Sequence, residues 1–294
     1  MSPGERVLLA WSSGKDSAFS LHVLRGQGVE VVGLLTTVNE AFGRVAMHAV
    51  RVELLRAQAG AVGLPLLEVP IPWPCPNEAY EAAMDAALGT ALGRGVSAVA
   101  FGDLFLEDVR RYREERMAQA GLRPLFPLWG RETRGLAEEM IAVGQKAVIT
   151  CVDPRALAAA FVGRDFDASL LRELPPAVDP CGERGEFHSF AWDGPAFRSP
   201  VRVRRGDVVE RDGFVFADLV PEDADAEPPG KTRATGARSK RGRLRAAGPA
   251  PPRSRDGARP DANAAPTRAA AAERAPRPPG PPGRRGPRRP EPTP

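Results

Sequence analysis

Between residues 12 and 17 the chain gathers three hydroxyls, a glycine, an ammonium and a carboxylate: Ser12-Ser13-Gly14-Lys15-Asp16-Ser17. The run follows Val7-Leu8-Leu9-Ala10-Trp11. It leads into Ala18-Phe19-Ser20-Leu21-His22-Val23-Leu24, where Phe19, Val23 and Leu24 recur at helical spacing. The pattern predicts a buried strand ending at Trp11, a tight turn of small residues, and a helix starting near Asp16 or Ser17. Such a turn exposes backbone N–H groups beside the positive end of a helix dipole, which suits an anion and above all phosphate. Ser12, Ser13 and Ser17 add hydroxyl donors and Lys15 a mobile positive charge. An ordinary strand–turn–helix with a serine-rich cap has the same local pattern.

The turn is not a Walker A loop, G-x-x-x-x-G-K-[ST]. Asp16 follows Lys15, and Trp11 stands four residues before it. A second group of chemistry-bearing residues opens at Gly102-Asp103 and continues through Asp108-Val109-Arg110-Arg111-Tyr112-Arg113-Glu114-Glu115. Asp103 is a candidate Mg2+ ligand, since a hard cation takes carboxylate oxygen. Arg111 and Arg113 offer donor forks to phosphate or to a substrate carboxylate. The same charges also suit a solvated helix with Glu107–Arg111 and Arg111–Glu115 ion pairs.

A third group is Cys181-Gly182-Glu183-Arg184-Gly185-Glu186-Phe187-His188, on an expected loop. There Glu183 and Glu186 can orient an amine or act as base, with His188 as proton relay, or they belong to an exposed turn. His48, near a helix start, can reach a nucleotide or serve in capping or packing. His22 falls mid-helix and reads as structural. Cys75, Cys151 and Cys181 form no C-x-x-C pair and suit a reducing compartment, with Cys151 and Cys181 as inert single thiols.

Apolar runs at 29–36, 66–69, 96–101 and 147–152 predict strands. Periodic stretches at 47–60, 77–92, 107–120 and 134–143 predict helices, the first stopped by Gly60 or Gly63 and the second capped by Asn77. Alternating strands and helices imply right-handed βαβ units and a parallel sheet. Ligands of such sheets sit beyond the strands' carboxyl ends. The 12–17 turn, Thr36 and Gly102-Asp103 all fall there, so three stretches distant in sequence converge on one crevice. After residue 154 the pattern loosens into a helix at 168–174, a loop at 179–190, and strands at 201–205 and 208–219 with Arg211-Asp212-Gly213 as a turn or bulge.

The 294 residues are 43% hydrophobic, enough for a sizeable core. No run approaches the ~20 apolar residues of a membrane span, and the N-terminus does not read as a signal peptide. A cytoplasmic protein is expected. The net charge of +4 divides into +9 over residues 222–294 and −5 over the rest. Nucleic acid is therefore expected to make only loose contact, through the tail. After Val220 the sole large aliphatic side chain is Leu244, too little apolar surface to offset ordering entropy, so the tail is predicted disordered. The expected division is a nucleotide-binding domain at 1–128, a substrate-binding domain at 129–221 and the tail at 222–294.

Taken together, these stretches resemble the diphthine–ammonia ligase family, a branch of the PP-loop ATP pyrophosphatases or adenine nucleotide alpha hydrolases. The resemblance runs from about Val7 to Asp218. It rests on Ser12–Ser17, on Gly102-Asp103 with Asp108, Arg111, Arg113 and Glu115, on Pro127-Leu128-Trp129, and on Cys181-Gly182-Glu183 with Gly185-Glu186. Ser13 stands at the second position of the S-G-G-x-D-S loop, which is usually glycine, a change that fits only if no positive φ is needed there.

The resemblance implies a Rossmann-like, HUP-type α/β domain with a smaller α+β domain. It implies ATP and Mg2+ as cofactors and ATP cleavage to AMP and pyrophosphate. A substrate carboxylate is adenylated, and free ammonia displaces AMP to give an amide. The expected nucleotide site comprises Ser12, Ser13, Gly14, Lys15, Asp16, Ser17, Thr36, His48, Gly102 and Asp103, the last also as metal ligand. Lys15, Arg113, Glu183 and Glu186 carry the expected catalytic roles. Where family members acting on diphthine read Glu-Gly-Gly-Glu-Tyr-Glu, this chain has Glu183-Arg184-Gly185-Glu186-Phe187-His188, so the acceptor is diphthine or a small carboxylic acid. A homodimer is compatible with this reading. A tRNA-modifying PP-loop enzyme and a nucleotide-binding module without turnover are the alternatives.

Overall fold

A computed structural model describes residues 5–45 and 50–222. The expectations for His48 and for the tail from residue 223 lie outside the described residues. Strand β1 (Arg6–Ala10) buries Val7 and Leu9 on one face and Leu8 on the other. A strand covered on both faces is the mark of a central parallel strand. Around it run β2 (Glu30–Asn39), β3 (Arg44–Val45), β4 (Leu66–Ile71), β5 (Ala98–Ala100) and β6 (Arg123–Leu125). β4, β2, β1, β5 and β6 lie side by side, all parallel. The two-residue β3 joins the end of β2 antiparallel.

Helices α1 (Lys15–Gly26) and α2 (Val52–Val62) place Phe19, Leu21, Leu24, Leu54, Leu55 and Val62 in the main core. On the other face, α3 (Asn77–Gly93) and α4 (Glu107–Gln119) contribute Leu88, Ala91 and Met117 to a smaller core with Leu8, Val99 and Phe101. The chain proceeds from β1 outward to β4, then returns to the other side of β1 for β5 and β6. The topological switch point therefore lies between β1 and β5, where ligands of open α/β sheets bind.

After α5 (Thr133–Ala142), strand β7 (Lys146–Val152) leaves this sheet. It lies in a second sheet of order β8-β7-β10-β9, antiparallel throughout, with β8 (Phe187–Asp193), β9 (Val203–Arg211) and β10 (Phe214–Pro221). This corrects the expectation that 147–152 continues the parallel set. Its run is buried end to end after Lys146, and an apolar run alone does not distinguish a central parallel strand from a central antiparallel one. The helix α6 (Ala168–Glu173) packs Leu170 and Leu171 into the same core as β1 and α1.

Other expectations shift. The 179–190 loop becomes strand from Phe187. Gly206 and Asp207 stay within β9, so no break divides that strand, while the turn falls as expected, at Asp212-Gly213 with φ of +51° and +77°. That is the paired positive φ a tight hairpin needs. Asn77 does not cap α3: Pro76 holds that position, and the Asn77 side chain donates to Glu81 at 3.1 Å. Gly63 does stop α2, in the left-handed conformation. Among the described residues no helix is long and apolar enough to cross a membrane.

Candidate active site

Helix α1 starts at Lys15 behind Gly14, with no side-chain cap. Its first-turn N–H groups lack intrahelical partners and point out of the helix end. The preceding turn is held from three sides. Ser17 Oγ donates to the Gly14 carbonyl at 2.9 Å, and Thr36 Oγ1 donates to the Trp11 carbonyl at 2.7 Å. The Ser13 carbonyl accepts from the Ala191 amide of β8 at 2.9 Å. The Lys15 amide donates to Ser189 Oγ at 3.2 Å, and the Lys15 carbonyl accepts from Gln145 Nε2 at 2.8 Å. The second sheet thus forms the back wall of the turn.

Ser13 has φ of +68°. The condition for a serine here, that no positive φ be required, is not met. A non-glycine residue in this region carries a steric cost of about 1–2 kcal/mol, sustained here by the hydrogen bonds on its carbonyl.

Lys15 is also placed differently from expectation. It is not a mobile charge: its exposure is 1%. Nζ donates to both Asp16 carboxylate oxygens at 2.9 Å and to the Cys181 carbonyl, with the Phe166 and Phe187 ring centroids each 5.4 Å away. Burial on its own would lower the Lys15 pKa. The Asp16 carboxylate and, more distantly, Glu183 outweigh it and raise the value above that of a free lysine, so the ammonium stays charged.

Gly102 and Asp103 follow β5 and reach the same place. A Cβ on Gly102 would stand 3.3 Å from the Asp16 backbone carbon and from Ser20 Oγ, so a side chain there would press the β5 end away from α1 by a few tenths of an ångström. Asp103 is 8% exposed, and its Oδ2 has no hydrogen-bond partner. Arg113 Nε is 3.6 Å from that oxygen and is also unpartnered, with the guanidinium over the Phe101 ring at 4.8 Å. On α4 the i,i+4 ion pair is Arg110–Glu114 at 2.7 Å rather than a pair through Arg111.

Glu183 Oε1 accepts from the Leu104 amide at 3.1 Å and so ties the second sheet's loop to the segment after β5. Asp179 shapes that loop by accepting from the amides of Cys181 and Glu183 at 2.9 and 3.2 Å. Glu186 turns elsewhere: its Oε1 accepts from the Asp179 amide at 3.0 Å. His188 lies on β8 opposite Cys151. Burial pushes the Cys151 thiol up to about 12 and raises the Cys181 thiol as well, which makes both poor nucleophiles.

The structure therefore brings the 12–17 turn, Thr36, Gly102, Asp103, Arg113 and Glu183 to one crevice, with Glu186 joined to it one step back through Asp179 and His188 on β8. Sequence reading missed the supports Gln58, Gln145 and Ser189. For Gln58 there was a signal: an amide interrupts the apolar stripe Leu54, Leu55, Ala59, Val62, and it is fully buried.

One observation fits a nucleotide and its metal ion. The buried Ser13 Oγ and Asp103 Oδ2 both lack protein partners, and buried polar atoms rarely stay unpaired without a reason. A carboxylate oxygen suits Mg2+, which takes one or two carboxylates and completes its shell with phosphate and water.

Comparison with known proteins agrees with this arrangement. Residues 5–124 match the model of the diphthamide synthase N-terminal domain, and residues 132–216 match the diphthamide synthase C-terminal domain. A diphthine–ammonia ligase of Bos taurus is 25% identical over 244 residues, 73% of this chain and 88% of that protein. The Danio rerio protein of the same name is 28% identical over 239 residues, 73% of this chain and 92% of its own. That of Mus musculus reaches 33% identity over 127 residues, 39% of this chain and 45% of the relative. With both domain models matched in order, and the crevice built from residues of both, the chain belongs to the diphthamide synthase family.

Proposed function

We propose that this protein is an ATP-dependent ligase that joins ammonia to a carboxylate, releasing AMP and pyrophosphate, with diphthine or a small carboxylic acid as acceptor. In this reading residues 1–128 bind the nucleotide and residues 129–221 the acceptor. The observation that supports it best is the uncapped start of α1 at the sheet's switch point, beside a buried carboxylate oxygen without a partner.

The turn amides and the Ser12 and Ser13 hydroxyls would hold the β- and γ-phosphates of ATP, with Ser17 bracing the turn through its bond to the Gly14 carbonyl. The buried Lys15 ammonium behind them would favour the charge that develops on departing pyrophosphate. Mg2+ supplies charge neutralisation on those phosphates when bound, and Asp103 is the residue that would hold it. Arg113 would receive the acceptor carboxylate. A carboxylate oxygen attacks the α-phosphorus, and the bond from that phosphorus to the bridging oxygen breaks. Ammonia nitrogen then attacks the acyl carbon, the carbon–oxygen bond to AMP breaks, and the surplus ammonium proton passes to a base, for which Glu183 stands at the crevice.

The experiment is a product assay with ATP, Mg2+, ammonium and a panel of carboxylic acids that includes diphthine-bearing protein. The expected result is pyrophosphate and AMP in equal amounts, dependent on ammonium and on one acid of the panel. Release of ADP and orthophosphate would overturn the reading.

A further inference from the structure

Gln58 lies on α2, 0% exposed, and no part of the proposed chemistry uses it. Its side chain meets three groups, two in the turn between β1 and α1 and one on β8. Oε1 accepts from the Trp11 indole Nε1–H at 2.9 Å, and Nε2 donates to the carbonyls of Ser13 at 3.0 Å and Ala191 at 2.5 Å. The amide orientation follows from chemistry: an indole N–H only donates and backbone carbonyls only accept. Every partner is buried, so a loss would not be made good by water.

The Ser13 carbonyl matters most. It accepts from Gln58 and from the Ala191 amide together, which uses both of its lone pairs and fixes the peptide plane between Ser13 and Gly14. That plane aims the first amides of α1, and it belongs to a residue held at φ of +68°. With glycine at this position the conformation would carry no steric penalty. With serine it needs an outside support, and Gln58 is that support from the α2 side.

We infer that Gln58 is a positioning residue, which holds Ser13 in the left-handed conformation and so presets the 12–17 turn for nucleotide phosphates. The inference rests on the reading of that turn as the phosphate site. It differs from a plain core-packing role in one respect: its effect must depend on the residue at position 13.

The test measures Mg·ATP affinity by calorimetric titration, per folded molecule, in the parent and four variants. Gln58→Met keeps the bulk and removes all three hydrogen bonds. Gln58→Glu keeps an acceptor for Trp11 and loses both donors. Ser13→Gly supplies a residue that needs no support, and the double variant Gln58→Met with Ser13→Gly is compared with it, so that any contact made by the Ser13 hydroxyl cancels. Expected is a loss of affinity on the order of tenfold in Gln58→Met, a comparable loss in Gln58→Glu, and about half that logarithmic loss when Gln58→Met is made on Ser13→Gly. Parent-like affinity in folded Gln58→Met, or the same loss on either residue at position 13, overturns the inference. If every Gln58 variant fails to fold, it is overturned too, because Gln58 then serves the core and not the turn. A parent protein that does not bind Mg·ATP would instead sink the functional reading on which this rests.

Discussion

Lys15 and Arg113 are two cations at the same edge of the parallel sheet, and they are held in opposite ways. Lys15 is saturated: two carboxylate oxygens at 2.9 Å, a carbonyl and two aromatic rings surround Nζ. Arg113 is held less completely: its guanidinium is hydrogen-bonded with Tyr80 and lies over Phe101, but Nε is 3.6 Å from Asp103 Oδ2 and neither of those two atoms is hydrogen-bonded. A saturated buried charge stabilises the fold and resists rearrangement. An unsaturated pair is poised to gain from a ligand, because an incoming phosphate, carboxylate or cation supplies the missing partners. The sheet edge thus carries one cation that joins the two sheets and one whose pairing with its neighbouring carboxylate is incomplete.

Breaking Lys15 should have the largest effect on stability. Lys15→Met leaves Asp16 without its cation and the Cys181 carbonyl without its donor. Asp16 is 26% exposed, so the loss belongs at the lower end for a broken buried pair, about 3 kcal/mol. Chemical denaturation would show it, and an unchanged midpoint would erase the contrast with Arg113.

Arg113→Gln should do the reverse. Pyrophosphate release is expected to fall on the order of 100-fold, with the melting temperature within a few degrees of the parent. A variant that melts early yet turns over normally would show that Arg113 is structural after all.

A milder tie between the sheets gives the scale. Asp218 on β10 accepts from Arg44 at 3.0 Å and from Arg51 Nη2 at 2.6 Å. Burial alone would raise the Asp218 carboxyl, but hydrogen bonds from Arg51 and Arg44 outweigh it and hold the carboxyl below the usual aspartate range. A carboxyl held low in the folded state contributes its full stability above the ordinary aspartate pKa of about 3.9, and loses it as pH falls through the lowered value. Asp218→Asn should therefore cost about 1 kcal/mol at neutral pH and flatten the acid limb of the stability profile below about pH 4. An acid limb identical to the parent's would place that titration elsewhere.

The smallest effect should have the opposite sign. Ser13→Gly removes the left-handed strain and an unpartnered buried hydroxyl, at the cost of extra freedom in the unfolded chain. A net gain below about 1 kcal/mol is expected, since strain relief of 1–2 kcal/mol is partly offset. A loss of stability would mean that Ser13 Oγ has a partner in solution that outweighs its strain.

Much of this was legible in the chain itself. The apolar run before Ser12, the helical spacing after it, and the glycine at 102 place three loops at strand ends, and the parallel order follows from alternation. What escaped had weak local signals. β6 is three residues with a proline, tolerated because it lies at the edge. β8 begins inside a stretch rich in glycine and charge. β7 is as apolar as any parallel strand, and only its partners reveal its sheet.

The sequence alone determined that a glycine- and hydroxyl-rich turn leads from the first strand into a helix start, because these residues adjoin along the chain and their chemistry is local. It also determined that acidic and basic groups recur near residues 103–113 and 183–186. Only the tertiary structure decided that Lys15 faces the second sheet, that Ser13 is strained, and that Gln58 reaches a carbonyl 45 residues away in sequence. Those outcomes depend on which distant backbone groups burial leaves in need of partners, and hydrogen bonds between remote segments leave no periodic trace in the residues that make them.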